Sequence, residues 1–201
     1  MKTPIIIGIT GGIGGGKSTF SKHLRDRGEL VFDTDLEAKK LQNQSPIIRA
    51  KLIKEFGDDI YNAEGLDRQK LSMIVFGNPE KLQKLNEIVH PEVLNHFKEW
   101  IKMNADKKIL FMECAILFEE GQCKSLIDKV VVVTAPVDVR IKRVMKRDNL
   151  SEEAVRARMQ HQLSEEKKME LADWVYDTDN QTLSHKRVDD FLLELEKLVT
   201  E

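Results

Sequence analysis

Near the start of the chain, Gly11-Gly12-Ile13-Gly14-Gly15-Gly16-Lys17-Ser18 satisfies the pattern G-x-x-x-x-G-K-[ST]. The composition suits an anion. A polyphosphate is held by several backbone N–H groups aimed at it from one side. A chain curls that tightly only with glycine's freedom at positive φ and its missing side chain. Gly12, Gly14, Gly15 and Gly16 are the expected contact positions. The Lys17 ammonium would span the β- and γ-phosphates, the Ser18 hydroxyl would ligate Mg²⁺, and Thr19 would reach the α-phosphate. A helix opening near Lys17 would add its N-terminal dipole and unpaired N–H groups. Such a loop implies binding of a nucleoside triphosphate.

The loop alone does not name a reaction. The D-x-x-G and N-K-x-D motifs of a GTPase do not occur, and the apolar run 109–113 ends in Glu113 rather than the Asp of a motor or transporter ATPase. What remains is a small-molecule kinase, in which catalysis is positioning plus charge neutralisation. Arg140, Arg143 and Arg147 can share one helix face directed at the transferred phosphoryl group, with a solvated basic face as the alternative. An acceptor hydroxyl needs an aligning or proton-accepting carboxylate. Val31-Phe32-Asp33-Thr34-Asp35 supplies two at the end of the second strand, where positions i and i+2 share a face and can both point at the acceptor. The alternative is that one of the pair caps a helix beginning near Leu36.

These groups need a scaffold. Runs rich in β-branched residues at 5–10, 30–33, 109–113, 130–134 and 174–177 predict strands. The middle ones are continuously apolar, as strands covered on both faces are. Helical patterns at 18–27, 137–147, 152–162 and 186–199 alternate with them, so the expected class is α/β. It is a P-loop NTPase-type parallel sheet of about five strands with helices on both faces. From 36 to about 104 no strand is evident, only helical patterns broken at Ser45-Pro46, Gly57-Asp58-Asp59, Gly77-Asn78-Pro79 and His90-Pro91. This stretch is read as a helical insertion at the carboxyl edge of the sheet, where open α/β sheets bind ligands. The expected organisation is one domain over 1–201. Its core is 1–35 and 105–201, its insertion 36–104, and its mobile lid the charge-rich stretch about 140–168.

The composition fits. The chain has 201 residues, 41% hydrophobic and 33% charged, enough for a core and unlike a disordered chain. A net charge of −2 gives no case for a nucleic-acid or membrane partner, and no protein partner is evident. Cys114 and Cys123 are the two cysteines, too few for a disulfide framework, and the five histidines are not at zinc-ligand spacing. No run approaches the roughly 18 apolar residues of a membrane span, and the short N-terminal run lacks a cleavage site. A soluble, cytoplasmic protein is expected.

The residues also carry a resemblance. Thr10-Gly11-Gly12-Ile13-Gly14-x-Gly16-Lys17-Ser18-Thr19 followed by Asp33-x-Asp35 resembles the dephospho-CoA kinase family. The similarity continues through Gly65-Leu66-Asp67-Arg68, Val75-Phe76, His90-Pro91, Leu117-Phe118-Glu119, Arg143, Arg147-Asp148, Gln162, Lys167 and Ala172-Asp173. The resemblance implies transfer of the ATP γ-phosphate, with Mg²⁺, to the ribose 3′-hydroxyl of dephospho-CoA. It implies Asp35 as the base with Asp33 beside it, Lys17, Arg143 and Arg147 as catalytic, and the helical insertion as the acceptor holder. His90 would face the acceptor pocket, or His90-Pro91 would simply open a helix; Glu119 would also touch the acceptor. Two departures stand out. Ala115-Ile116-Leu117 replaces the family's Pro-Leu-Leu, and Asp177-Thr178-Asp179 stands where the family has an asparagine, so no side chain is assigned to adenine. The rival readings are a kinase of the same architecture with a nucleoside or nucleotide acceptor, and a nucleotide-binding regulatory module.

Overall fold

The computed structural model describes residues 3–119, 121–178 and 185–200. The chain forms β1 (Ile5–Thr10), α1 (Lys17–Arg25), β2 (Val31–Asp33), α2 (Thr34–Gln44) and α3 (Pro46–Phe56). A 3₁₀ turn (Asp58–Ile60), β3 (Tyr61–Asn62), β4 (Gly65–Leu66), α4 (Arg68–Val75) and α5 (Pro79–Met103) follow. The remainder is β5 (Ile109–Glu113), α6 (Gly121–Lys124), β6 (Lys129–Thr134), α7 (Val137–Asp148), α8 (Glu152–Gln160), α9 (Glu165–Glu170), β7 (Trp174–Asp177) and α10 (His185–Thr200). Two compact units result, one of residues 1–32 and 104–201 and the other of residues 33–103.

The first unit is built on a five-stranded parallel sheet in the order β2-β5-β1-β6-β7. β1 is central, paired with β5 on one side and β6 on the other, so the loop after it lies where successive connections leave in opposite directions. Alternate residues explain why both faces are apolar. Ile7, Ile9, Phe111, Val131 and Val133 meet Phe20 and Leu24 of α1 and Val188, Phe191 and Leu195 of α10 in one core cluster. Ile6, Leu110, Met112, Val130 and Val132 are buried on the opposite face, where α9 packs along β6. This is the both-faces-covered pattern that the continuous apolar runs predict. Among the described residues no helix is long and apolar enough to cross a membrane.

The second unit is helical apart from the two-residue strands β3 and β4, which form a short antiparallel pair that the sequence reading missed. Its core is made of Ile48, Leu52, Ile60, Leu66, Leu71, Val89, Val93 and Phe97. Helix α5 also corrects an expectation. The His90-Pro91 pair neither breaks nor opens a helix; Pro91 lies inside a single helix of 25 residues. Buried Val89 and Val93 flank the proline, and their packing holds the helix together across the lost N–H.

Candidate active site

In the first unit, β1 delivers the chain into the glycine loop and α1 receives it. Gly11 has φ 142°, and a Cβ there would fall 2.1 Å from the Val133 carbonyl oxygen of the neighbouring strand. Gly16, at φ 100°, is the N-cap of α1, whose first turn contains no acidic residue. Lys17 folds back over the loop it ends: its Nζ donates to the carbonyls of Gly11 (2.8 Å) and Gly12 (3.2 Å). The ammonium thus sits against the loop, where an arriving phosphate oxygen can replace a carbonyl as its acceptor. The expected helix start near Lys17 is where the structure has it.

Ser18 Oγ donates to Glu113 Oε1 at 3.2 Å, with Glu113 buried at the end of β5. Two hard oxygens at that separation suit neighbouring vertices of a Mg²⁺ octahedron, which lie about 3 Å apart for bonds of about 2.1 Å. Among the described residues no three His, Cys, Asp or Glu side chains gather around a metal position, so a Mg²⁺ here would take its other ligands from phosphate and water.

Arg143 of α7 reaches the far side of the loop. Its Nη1 donates to the Gly14 carbonyl (3.3 Å) and to Thr178 Oγ1 (2.7 Å), and its Nη2 donates to the Thr178 carbonyl (2.7 Å). The Thr178 hydroxyl in turn donates to the Gly15 carbonyl at 2.9 Å. Arg143 and Thr178 therefore grip two successive loop carbonyls. Thr178, just past β7 and 4% exposed, stands in the sequence reading only within the Asp177-Thr178-Asp179 departure, with no role assigned. Its neighbour Asp179 lies outside the described residues.

Other expected residues have different partners. Arg147 bonds the Asp148 carboxylate through Nε and Nη2, with its side chain 63% exposed. That guanidinium, joined by Arg158, holds the Asp148 carboxyl below the usual carboxylate range. Glu119 accepts the Leu163 N–H at 2.8 Å and pairs with the fully buried Lys168 ammonium at 3.2 Å. The same ammonium donates to the Ala115 carbonyl at 3.3 Å.

The aspartate pair is carried by the second unit, and here the strand-face expectation fails. β2 ends at Asp33 and α2 begins at Thr34, so Asp35 lies in the first turn of a helix. Asp33 is the N-cap, its Oδ1 accepting the Leu36 N–H at 2.9 Å. The capping alternative is thus realised by Asp33. Asp35 is exposed, and no hydrogen bond or ion pair among the described residues engages its carboxylate. His90 is half-buried on α5. The Gly65-Leu66-Asp67-Arg68 run has a local explanation: Asp67 caps α4, and Arg68 donates to Gln42 and to the Lys39 carbonyl of α2.

A family model described as dephospho-CoA kinase matches residues 5–184. A dephospho-CoA kinase of Fusobacterium nucleatum is 40% identical over 177 residues, covering 88% of this chain and 90% of its own. A solved structure from Thermus thermophilus superposes with a TM-score of 0.82 at 36% identity, covering 96% and 98% of the two chains. A dephospho-CoA kinase structure from Campylobacter jejuni does so at 0.63 and 25%, covering 98% of each.

Proposed function

The chain belongs to the dephospho-CoA kinase family, and from that premise we propose the roles its own residues take. The protein is an ATP-dependent kinase that phosphorylates the ribose 3′-hydroxyl of dephospho-CoA, giving coenzyme A and ADP. The 3′-oxygen forms a bond to the γ-phosphorus, the bond from that phosphorus to the β–γ bridging oxygen breaks, and the hydroxyl proton leaves to a base.

The loop from Gly11 to Thr19 holds the triphosphate, Gly14, Gly15 and Gly16 supplying close backbone approach, while the Gly12 N–H, expected from the sequence to do the same, is given to Glu165. Lys17 exchanges its loop carbonyls for β- and γ-phosphate oxygens. Ser18, with Glu113 beside it, holds Mg²⁺, which when bound neutralises phosphate charge. Arg143 faces the same loop from α7, and Arg147 would leave Asp148 to join it. Asp35 takes the proton, for which its exposed, unengaged carboxylate is suited, while Asp33 keeps the helix that bears it in place. His90 and Glu119 belong to the acceptor side. Residues about 140–168 form the lid, tied at its far end by Lys168 to Glu119 and the Ala115 carbonyl. The setting is cytoplasmic, and no macromolecular partner is needed.

The observation that carries this reading is the Lys17 ammonium held back over a glycine loop whose helix start has no acid of its own. Replacing Asp35 by Asn should leave ATP binding intact and lower turnover by about 10² to 10⁴-fold, the range of a lost general base. Undiminished turnover removes Asp35 from that role. ADP release measured over a panel of acceptors tests the substrate: preference for a nucleoside over dephospho-CoA would overturn it.

A further inference from the structure

The glycine loop is engaged through its N–H groups as well as through its carbonyls. Gly12 N–H donates to both oxygens of Glu165, at 3.1 and 3.3 Å, and Ile13 N–H donates to Gln162 Oε1 at 3.0 Å. These acceptors come from more than a hundred residues away, at the start of α9 and just before it. Glu165 Oε2 also accepts from Arg140 Nη1 at 3.0 Å, and both side chains are only 10% exposed. Position 12 is shaped for this contact. A Cβ on Gly12 would fall 2.0 Å from Arg140 Nη1 and 2.4 Å from Glu165 Oε2.

We infer that Glu165 and Arg140 are positioning residues for the ATP site: the carboxylate fixes the Gly12 N–H on itself, and the guanidinium cancels its charge. The inference rests on reading the loop as the ATP site. An N–H committed to a side-chain acceptor is not free for phosphate, so fixing the N–H groups of Gly12 and Ile13 sets how the rest of the loop curls towards the anion. A bare carboxylate so close to a triphosphate would repel it. Arg140, paired in this way, therefore acts on the nucleotide through Glu165 rather than by direct contact.

The charge logic gives an order of effects that a purely structural contact would not. Arg140→Met leaves the carboxylate uncompensated beside the phosphates, so KM for ATP should rise most, about tenfold or more. Glu165→Leu removes acceptor and charge together and should raise it by less, and Glu165→Gln, which keeps an acceptor oxygen, by about threefold at most. The double variant Arg140→Met/Glu165→Leu should bind ATP better than Arg140→Met alone, a non-additive cycle. In all of them kcat and the KM for dephospho-CoA should stay within about threefold of the parent.

The experiment is steady-state kinetics on these four variants with each substrate varied in turn, alongside thermal unfolding and a Lys17→Ala control. The inference is overturned if ATP KM stays within about twofold in both single truncations, if kcat and both KM values move together, or if the double variant is no better than Arg140→Met. Lys17→Ala separates the two levels. Normal ATP binding in that variant refutes the loop as the nucleotide site; its loss, with the order of the other variants absent, refutes only the positioning role.

Discussion

Replacing Thr178 by Val tests how much the loop depends on its clamp. Valine keeps the branched shape and exchanges the hydroxyl for a methyl group. The Gly15 carbonyl loses its 2.9 Å donor, a neutral hydrogen bond of about 1 kcal/mol. Arg143 loses its 2.7 Å bond to Oγ1 but keeps the Thr178 carbonyl at 2.7 Å, so about 1.5 kcal/mol, the low end for a charged donor, is the appropriate figure. Together these make about 2–3 kcal/mol. At about 2–4 °C per kcal/mol for a domain of this size, Tm should fall by roughly 5–10 °C. Thr178→Ser keeps both bonds and should fall by no more than about 3 °C. Thermal unfolding followed by circular dichroism, with and without ATP, measures both. ATP should protect the valine variant less than the parent, since binding is linked to a loop that is now less ordered. A valine variant within about 1 °C of the parent, or a serine variant as damaged as the valine one, would refute the clamp.

Three further outcomes follow from the same geometry. Gly11→Ala places a Cβ against the Val133 carbonyl at a strained φ and should destabilise the fold by about 3 kcal/mol or more, read as a lowered urea midpoint. Lys168→Ala empties a fully buried site, while the exposed Glu119 carboxylate keeps the Leu163 N–H, and should lose about 2–4 kcal/mol in urea unfolding, whereas Lys168→Met keeps most of the packing and should lose less. Glu29 is half-buried, and burial first, then the charge of Glu196, pushes its carboxyl above its ordinary value of 4.5. Its folded-state pKa exceeds the unfolded one, so its contribution is fully present below about pH 4.5 and is lost as pH rises through the folded value. Glu29→Gln should therefore raise Tm at pH 7 by about 1–3 °C, less than 1 kcal/mol after solvent screening, and the gain should vanish at pH 4.

The parts legible in the sequence are those whose signal is local. The glycine run, the lysine that closes it and the apolar strands on either side need no knowledge of the rest of the chain, and β1, β5 and β7 stand where their residues put them. Asp33 and Asp35 show where such reading runs out. Val31-Phe32-Asp33 suits a strand, but nothing in it says the strand stops at Asp33, and the capping preference of aspartate wins at the following turn. Pro91 misleads for the opposite reason: a strong local breaker is overridden by buried Val89 and Val93. Gln162 and Thr178 enter only through the resemblance, with no role attached, and Glu165 not at all. Each meets the loop only through tertiary contacts across more than a hundred residues, and single-chain patterns are blind to those.

The central position of β1 also bears on how the molecule comes into being. Ile5 pairs with Ile109 and Ile7 with Lys129, so β1, ahead of the other four strands of the sheet along the chain, must wait for partners more than a hundred residues later. Such remote pairings slow folding, because loop closure must precede any reward from contact. The nucleotide cradle cannot mature until the segments that carry Glu165 and Thr178 have been synthesised. ATP should therefore act after the rate-limiting assembly of the sheet, retarding unfolding of the finished protein while leaving the refolding rate nearly unchanged.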